Sequence, residues 1–145
     1  MSNNIDLHVY TDGACKGNGK PDAIGGWGIF DKTTGFEFCG GKKGTTNNRM
    51  ELTAAIKGMI FINNTKHDSA NIYTDSNYVK QGITEWIHGW KKRNWSNVKN
   101  RDLWEKLDIL NQDSNVKWNW VKGHSTDEGN IKADELANEG CTKCQ

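Results

Sequence analysis

Two stretches of this chain echo each other. Residues 8–15 read HVYTDGAC and residues 71–78 read NIYTDSNY. Each writes an apolar residue, then Tyr-Thr-Asp, then a small turn-forming residue. Residues 5–11 alternate Ile5, Leu7 and Val9 against Asp6, His8 and Tyr10, which is a strand pattern. ANIYTD (70–75) is a second short apolar strand. Between them, TTNNRMELTAAIKGMIFINN (45–64) carries Met50, Ala54 and Ile56 to Phe61 at helical spacing, with Thr46 or Asn47 placed to cap it. A strand-helix-strand crossover makes its strands parallel and is nearly always right-handed. If the two YTD strands are neighbours, roughly 4.8 Å apart, then Asp12 and Asp75 meet at one rim of the sheet. Open α/β sheets place their sites at that rim, where strand order reverses.

The remaining elements follow by pattern. AIGGWGIFD (23–31) and GFEFCGGKK (35–43) form a hairpin whose glycines suggest bulges or close backbone approach. SNYVKQGITEWI (76–87) reads as a helix opening on a Ser cap, and RDLWEKLDIL (101–110) as an amphipathic helix. VKWNWV (116–121) reads as a strand with Val116, Trp118 and Trp120 on one face. DEGNIKADELANEG (127–140) is a last helix ended by Gly140. The order β-β-β-α-β-α-α-β-α predicts an α/β fold: a five-stranded mixed sheet, an antiparallel meander followed by crossover units, with helices on both faces. Trp27, Trp104, Trp118 and Trp120 are assigned to core packing.

A chain of 145 residues predicts one domain, 1–145. Lys plus Arg is 19 and Asp plus Glu is 18, so a net charge of +1 points to no partner by itself. The N-terminus shows no signal peptide and no stretch approaches a membrane span. A C-x-x-C at Cys141 and Cys144 lacks the two further ligands a metal centre needs, so reduced thiols in a cytoplasmic protein are expected.

Asp12 and Asp75, placed side by side, would each raise the other's pKa unless a cation lay between them. An all-oxygen site selects a hard divalent ion such as Mg²⁺ or Mn²⁺. Glu51, early in the 45–64 helix, and Asp134, in the last helix, are further acids that could converge there. Taken singly, each has an ordinary explanation. Asp12-Gly13 is a turn pair, Asp75-Ser76 a helix cap, Glu51 a first-turn helix acid and Asp134 a solvated one.

YTDGAC (10–15), TNNRMEL (46–52), YTDSNYV (73–79), VKGHS (121–125) and ADELA (133–137) together resemble bacterial type 1 ribonuclease H, in that family's order and over about residues 5–140. The resemblance implies endonucleolytic cutting of the RNA strand of RNA–DNA hybrids by a two-metal mechanism, leaving 5′-phosphate and 3′-hydroxyl ends. It implies Asp12, Glu51, Asp75 and Asp134 as metal-binding carboxylates, His124 as an auxiliary catalytic histidine, and a monomer. Cys15, Asn18, Asn47, Asn48 and Asn77 fall where the family makes minor-groove contacts. Thr46 and Asn100 fall at a DNA-phosphate pocket, with Arg49 near it. The loop over 16–26 is longer than the family's compact version.

In HGWKKRNWSNVKNR (88–101), Lys91, Lys92, Arg93 and Lys99 are interleaved with Trp90 and Trp95, and Trp86 lies one helical turn earlier. Bases alternating with aromatics suit a phosphate backbone and stacking. The family uses this segment as a basic protrusion gripping the DNA strand; here it is shorter and carries fewer lysines, so a weaker or redistributed grip is expected. Two other readings compete: a non-catalytic hybrid-binding module, and a DNA-cutting nuclease or recombinase on the same fold. Clustered repelling acids give a mere binder nothing, and DNA-cutting relatives usually carry extra DNA-binding domains.

Overall fold

A computed structural model describes residues 4–123 and 126–143. The echo turns out to be a matter of register. β1 (Asp6–Lys16) and β4 (Ser69–Thr74) are parallel neighbours in which Tyr10 pairs with Tyr73 and Thr11 with Thr74. The two tyrosine rings stack at 4.5 Å and the two threonines are buried. The next residue in each segment is the aspartate.

β1 also pairs antiparallel with β2 (Ile24–Asp31), and β2 with β3 (Glu37–Lys43). β5 (Val116–Trp120) joins β4 in parallel, giving the order β3-β2-β1-β4-β5. The five-stranded mixed sheet with its antiparallel meander is as the pattern predicted. One boundary differs. β1 does not end at residue 11 but runs to Lys16, because its pairing with β2 continues past the end of β4, from Asp12–Gly28 to Lys16–Ile24. Asp12 therefore sits inside a strand, while Asp75 follows the end of one.

α1 (Asn47–Asn63) covers one face, with Gly58 against Thr11, Val9 and Ile72. Its N-cap is Thr46, whose hydroxyl accepts from the Arg49 N–H at 3.2 Å. The main core lies between this helix and the sheet and includes Leu7, Val9, Leu52, Met59, Ile72 and Trp104. α5 (Glu128–Lys143) covers the opposite face, with Ala133, Leu136 and Ala137 against Gly28 and Gly26. Gly140 does not end this helix, as predicted, but lies within it. A β-carbon there would stand 2.1 Å from the Gly40 carbonyl oxygen, so glycine at this position serves close helix-on-sheet packing.

The predicted helix over 76–87 is longer and not uniform. α2 (Asn77–Gln81) opens on the Ser76 cap, passes through a π-helical turn at Gly82–Trp86, and continues as α3 (Ile87–Lys92). The turn accommodates the Trp104 ring directly over Gly82. α4 (Arg101–Asn111) supplies that ring. Trp104 is fully buried, Trp27 nearly so, and Trp118 packs against the core, as assigned. Trp120 does not: it is 45% exposed, because it stands at the rim on the edge strand β5. No described helix is long and apolar enough to cross a membrane.

Candidate active site

Three elements bring three acids together. Asp12 comes from β1, Glu51 from the first turns of α1, and Asp75 from the junction of β4 with α2. One carboxylate oxygen from each lies within 4.8 Å of the others. Gly13 makes this convergence possible. A β-carbon on it would stand 2.4 Å from the Glu51 nitrogen, so only glycine lets α1 approach β1 here. Its N–H donates to Glu51 Oε1 at 2.6 Å and to Asp12 Oδ1 at 3.0 Å. Asp134, on α5, lies near enough to Asp12 to act on its carboxyl.

Asp12 is 3% exposed and Glu51 is 7% exposed. Burial, then the charge on Asp75 and hydrogen bonds to Asp75 and Asp134, push the Asp12 carboxyl up to about 9, although its bond with Glu51 opposes this. Burial likewise holds Glu51 well above its ordinary range, followed by the charges on Asp12 and Asp75, with the Gly13 N–H pulling the other way. A positive charge placed among these carboxyls would favour their ionised forms. The donors are all oxygen, which fits a hard divalent cation and not a soft one.

A second group forms beside this rim. Asn18, Thr46, Asn47, Asn48, Lys99 and Asn100 line one open cavity of about 310 Å³. The connection expected over 16–26 is shorter, because Lys16 pairs with Ile24 at the ends of β1 and β2, and the Asn18 side-chain oxygen in it accepts from the Asn47 N–H at 2.9 Å, which delivers Asn18 to the start of α1. Asn100 adopts a left-handed conformation (φ 60°) ahead of α4, which releases its side chain from capping. Its amide instead donates to the Tyr78 hydroxyl at 3.1 Å and accepts from Arg49 at 3.3 Å. Arg49 is committed to a two-pronged pair with Asp102, at 3.0 and 2.7 Å, which holds the Asp102 carboxyl down at about 2. Cys15 lies near the same helix start, with its thiol directed at the Thr45 carbonyl at 3.6 Å, and Asn77 is exposed as the first residue of α2.

The basic segment protrudes as the end of α3 and the turns after it. Lys92 and Arg93 are exposed, but Lys91 pairs with Asp108 at 2.7 Å. Trp86, Trp90 and Trp95 form a run with ring centres 6.2 Å apart at each step, and Trp90 and Trp95 also lean on the core. These tryptophans both anchor the protrusion and give it an aromatic surface. His124 lies outside the described residues, as does Cys144.

One neighbour of the acidic site escaped sequence reasoning. The Trp120 indole N–H donates to the Asp75 carbonyl at 3.0 Å. Alternation along β5 signalled only which face it occupied.

Comparison with known proteins agrees with this layout. Residues 4–142 match the RNase H family. A Ribonuclease H of Parvibaculum lavamentivorans is 49% identical over 147 residues, covering 97% of this chain and 95% of the relative. One of Methylobacillus flagellatus is 51% identical, covering 97% and 93%. Among solved structures, a type 1 RNase H with the type 2 active-site motif superposes with a TM-score of 0.83 at 29% identity, covering 97% of this chain and 74% of that one. The PFV RNase H domain has the same fold, with a TM-score of 0.83 at 20% identity, covering 99% and 98%. With half its residues shared along nearly the whole length of curated relatives, this chain belongs to the RNase H family.

Proposed function

We propose that this protein is a divalent-metal-dependent endonuclease that hydrolyses the RNA strand of RNA–DNA hybrids, leaving 5′-phosphate and 3′-hydroxyl ends. The observation that carries the reading is the convergence of Asp12, Glu51 and Asp75 within 4.8 Å, in a chain of the RNase H family. These three, with Asp134, would hold the cations, and Mg²⁺ or Mn²⁺ suits their oxygens. Bound divalent ions supply the charge that clamps the attacking and leaving oxygens of an in-line phosphoryl displacement.

The chain's own residues do the rest. Gly13 fixes the Glu51 carboxylate through its N–H. The cavity around Thr46 and Asn100 opens at the start of α1, where the positive end of the helix dipole favours a phosphate of the DNA strand. Cys15, Asn18, Asn47, Asn48 and Asn77 face the minor groove, where amides can both donate and accept. Lys92, Arg93 and the tryptophan run grip the DNA strand further along, and Arg49, held by Asp102, orders the pocket from behind. His124 assists turnover as an auxiliary catalytic group. The enzyme acts as a monomer in the cytoplasm.

Matched RNA–DNA hybrid, double-stranded RNA, single-stranded RNA and double-stranded DNA, each incubated with Mg²⁺, separate the alternatives. Cutting confined to the RNA strand of the hybrid is expected. Cutting of double-stranded DNA, or no cutting of any substrate, would overturn the proposal.

A further inference from the structure

We propose that Trp120 is a positioning residue that holds Asp75 in the geometry the cation site needs. The inference rests on the metal-dependent reading above.

Asp75 occupies an awkward place in the chain. β4 ends at Thr74 and Ser76 is already the cap of α2, so Asp75 belongs to neither a ladder nor a helix. Its main chain is held across the sheet from β5. Thr74 and Trp120 are register partners, and the Val121 N–H donates to the Thr74 carbonyl at 2.9 Å. The Trp120 indole N–H then reaches one residue further, to the Asp75 carbonyl at 3.0 Å. Two donors, from the last residue of β5 and the residue after it, thus grip two consecutive carbonyls, the second belonging to a residue of the acidic trio. On the other side, a β-carbon at Gly123 would meet Asp75 Oδ2 at 3.0 Å, so the chain after β5 also closes on that carboxylate.

The exposure of Trp120 points to the same role. Trp104 is wholly buried and acts through packing. Trp120, at 45% exposed, gains far less from burial, yet its one polar atom is aimed at a backbone carbonyl. A fixed Asp75 carbonyl restrains the α-carbon from which its carboxylate reaches Asp12 and Glu51. Groups that orient metal-binding side chains from behind typically change ion affinity or activity by tenfold or more.

The test replaces Trp120 by 3-benzothienylalanine, which keeps the ring shape but has sulfur in place of the N–H, alongside Trp120→Phe. Mn²⁺ binding is measured by calorimetry, melting temperature in EDTA, and kcat and KM on hybrid. About tenfold weaker Mn²⁺ binding by the isosteric variant is expected, on the scale such orienting contacts have elsewhere. kcat should fall at limiting ion and recover at saturating ion, with KM for hybrid and the EDTA melting temperature unchanged. Wild-type Mn²⁺ affinity in that variant would overturn the proposal. So would a raised KM with ion affinity intact, which would make Trp120 a substrate contact. A lower EDTA melting temperature with ion affinity intact would overturn it too, leaving only packing. If the wild-type protein bound no Mn²⁺ at all, the metal-dependent reading itself would fail, a distinct result.

Discussion

Asp12→Asn should stabilise the metal-free protein, and by an amount that depends on pH. With its carboxyl pushed up to about 9 in the folded state against 3.8 for an ordinary aspartate, Asp12 must take up a proton on folding at neutral pH. For a group whose folded pKa is raised, stability is fully present below the unfolded value and is lost as pH rises towards the folded one. The accumulated loss is about 4 kcal/mol at pH 7 and under about 2 kcal/mol at pH 5. Asparagine removes that titration. It remains a buried polar group, which takes back part of the gain. A net gain of about 2 kcal/mol at pH 7 would raise the melting temperature by roughly 4–8 °C for a chain of this size. Thermal unfolding followed by circular dichroism in EDTA, from pH 5 to pH 8.5, measures it. The gain should grow with pH, and millimolar Mn²⁺ should reverse the order of the two proteins, since only the wild type keeps all its ligands. A melting temperature in EDTA that falls on substitution would refute the reasoning and make Asp12 a structural partner. A gain identical at pH 5 and pH 8.5 would show that ionisation is not its source.

Other expectations follow from particular contacts. Gly13→Ala should cost more than about 2 kcal/mol, read by urea unfolding, because the new methyl meets the α1 backbone at Glu51; hybrid cleavage should be lost with it. Thr46→Ala should cost about 1 kcal/mol through the lost α1 cap and also raise KM for hybrid, which separates the cap from the cavity it lines. Replacing Lys91, Lys92 and Arg93 together by Ala should raise KM with a reduced salt slope and leave kcat unchanged. Within that set, Lys91→Ala alone should have the smallest effect on the salt slope, since Lys91 already faces Asp108.

The sheet was legible in the sequence because its logic is local. Tyr-Thr-Asp repeats since Tyr10 and Thr11 meet Tyr73 and Thr74 across a parallel pair, which sets the following aspartates side by side, and the helix between the strands favours that pairing. Other features depend on partners far away in the chain. Asp12-Gly13 has the composition of a turn, yet β2 carries the strand onward and α1 uses the glycine for approach. Gly140 has the signature of a helix end, but the Gly40 carbonyl pressed against it shows a different use. The π-helical turn at Gly82–Trp86 answers the bulk of Trp104 from another helix. The pairing of Arg49 with Asp102 spans 53 residues, so no spacing rule could have shown that this guanidinium is already engaged. Alternation put Trp120 on the apolar face of β5, and only the position of that strand at the rim reveals that the face has run out of cover.

Anomalous diffraction from crystals soaked in Mn²⁺ bears most directly on the account. Density for manganese bounded by the carboxylates of Asp12, Glu51 and Asp75 is the result predicted. Manganese found only elsewhere on the surface, with those three side chains turned apart, would contradict it.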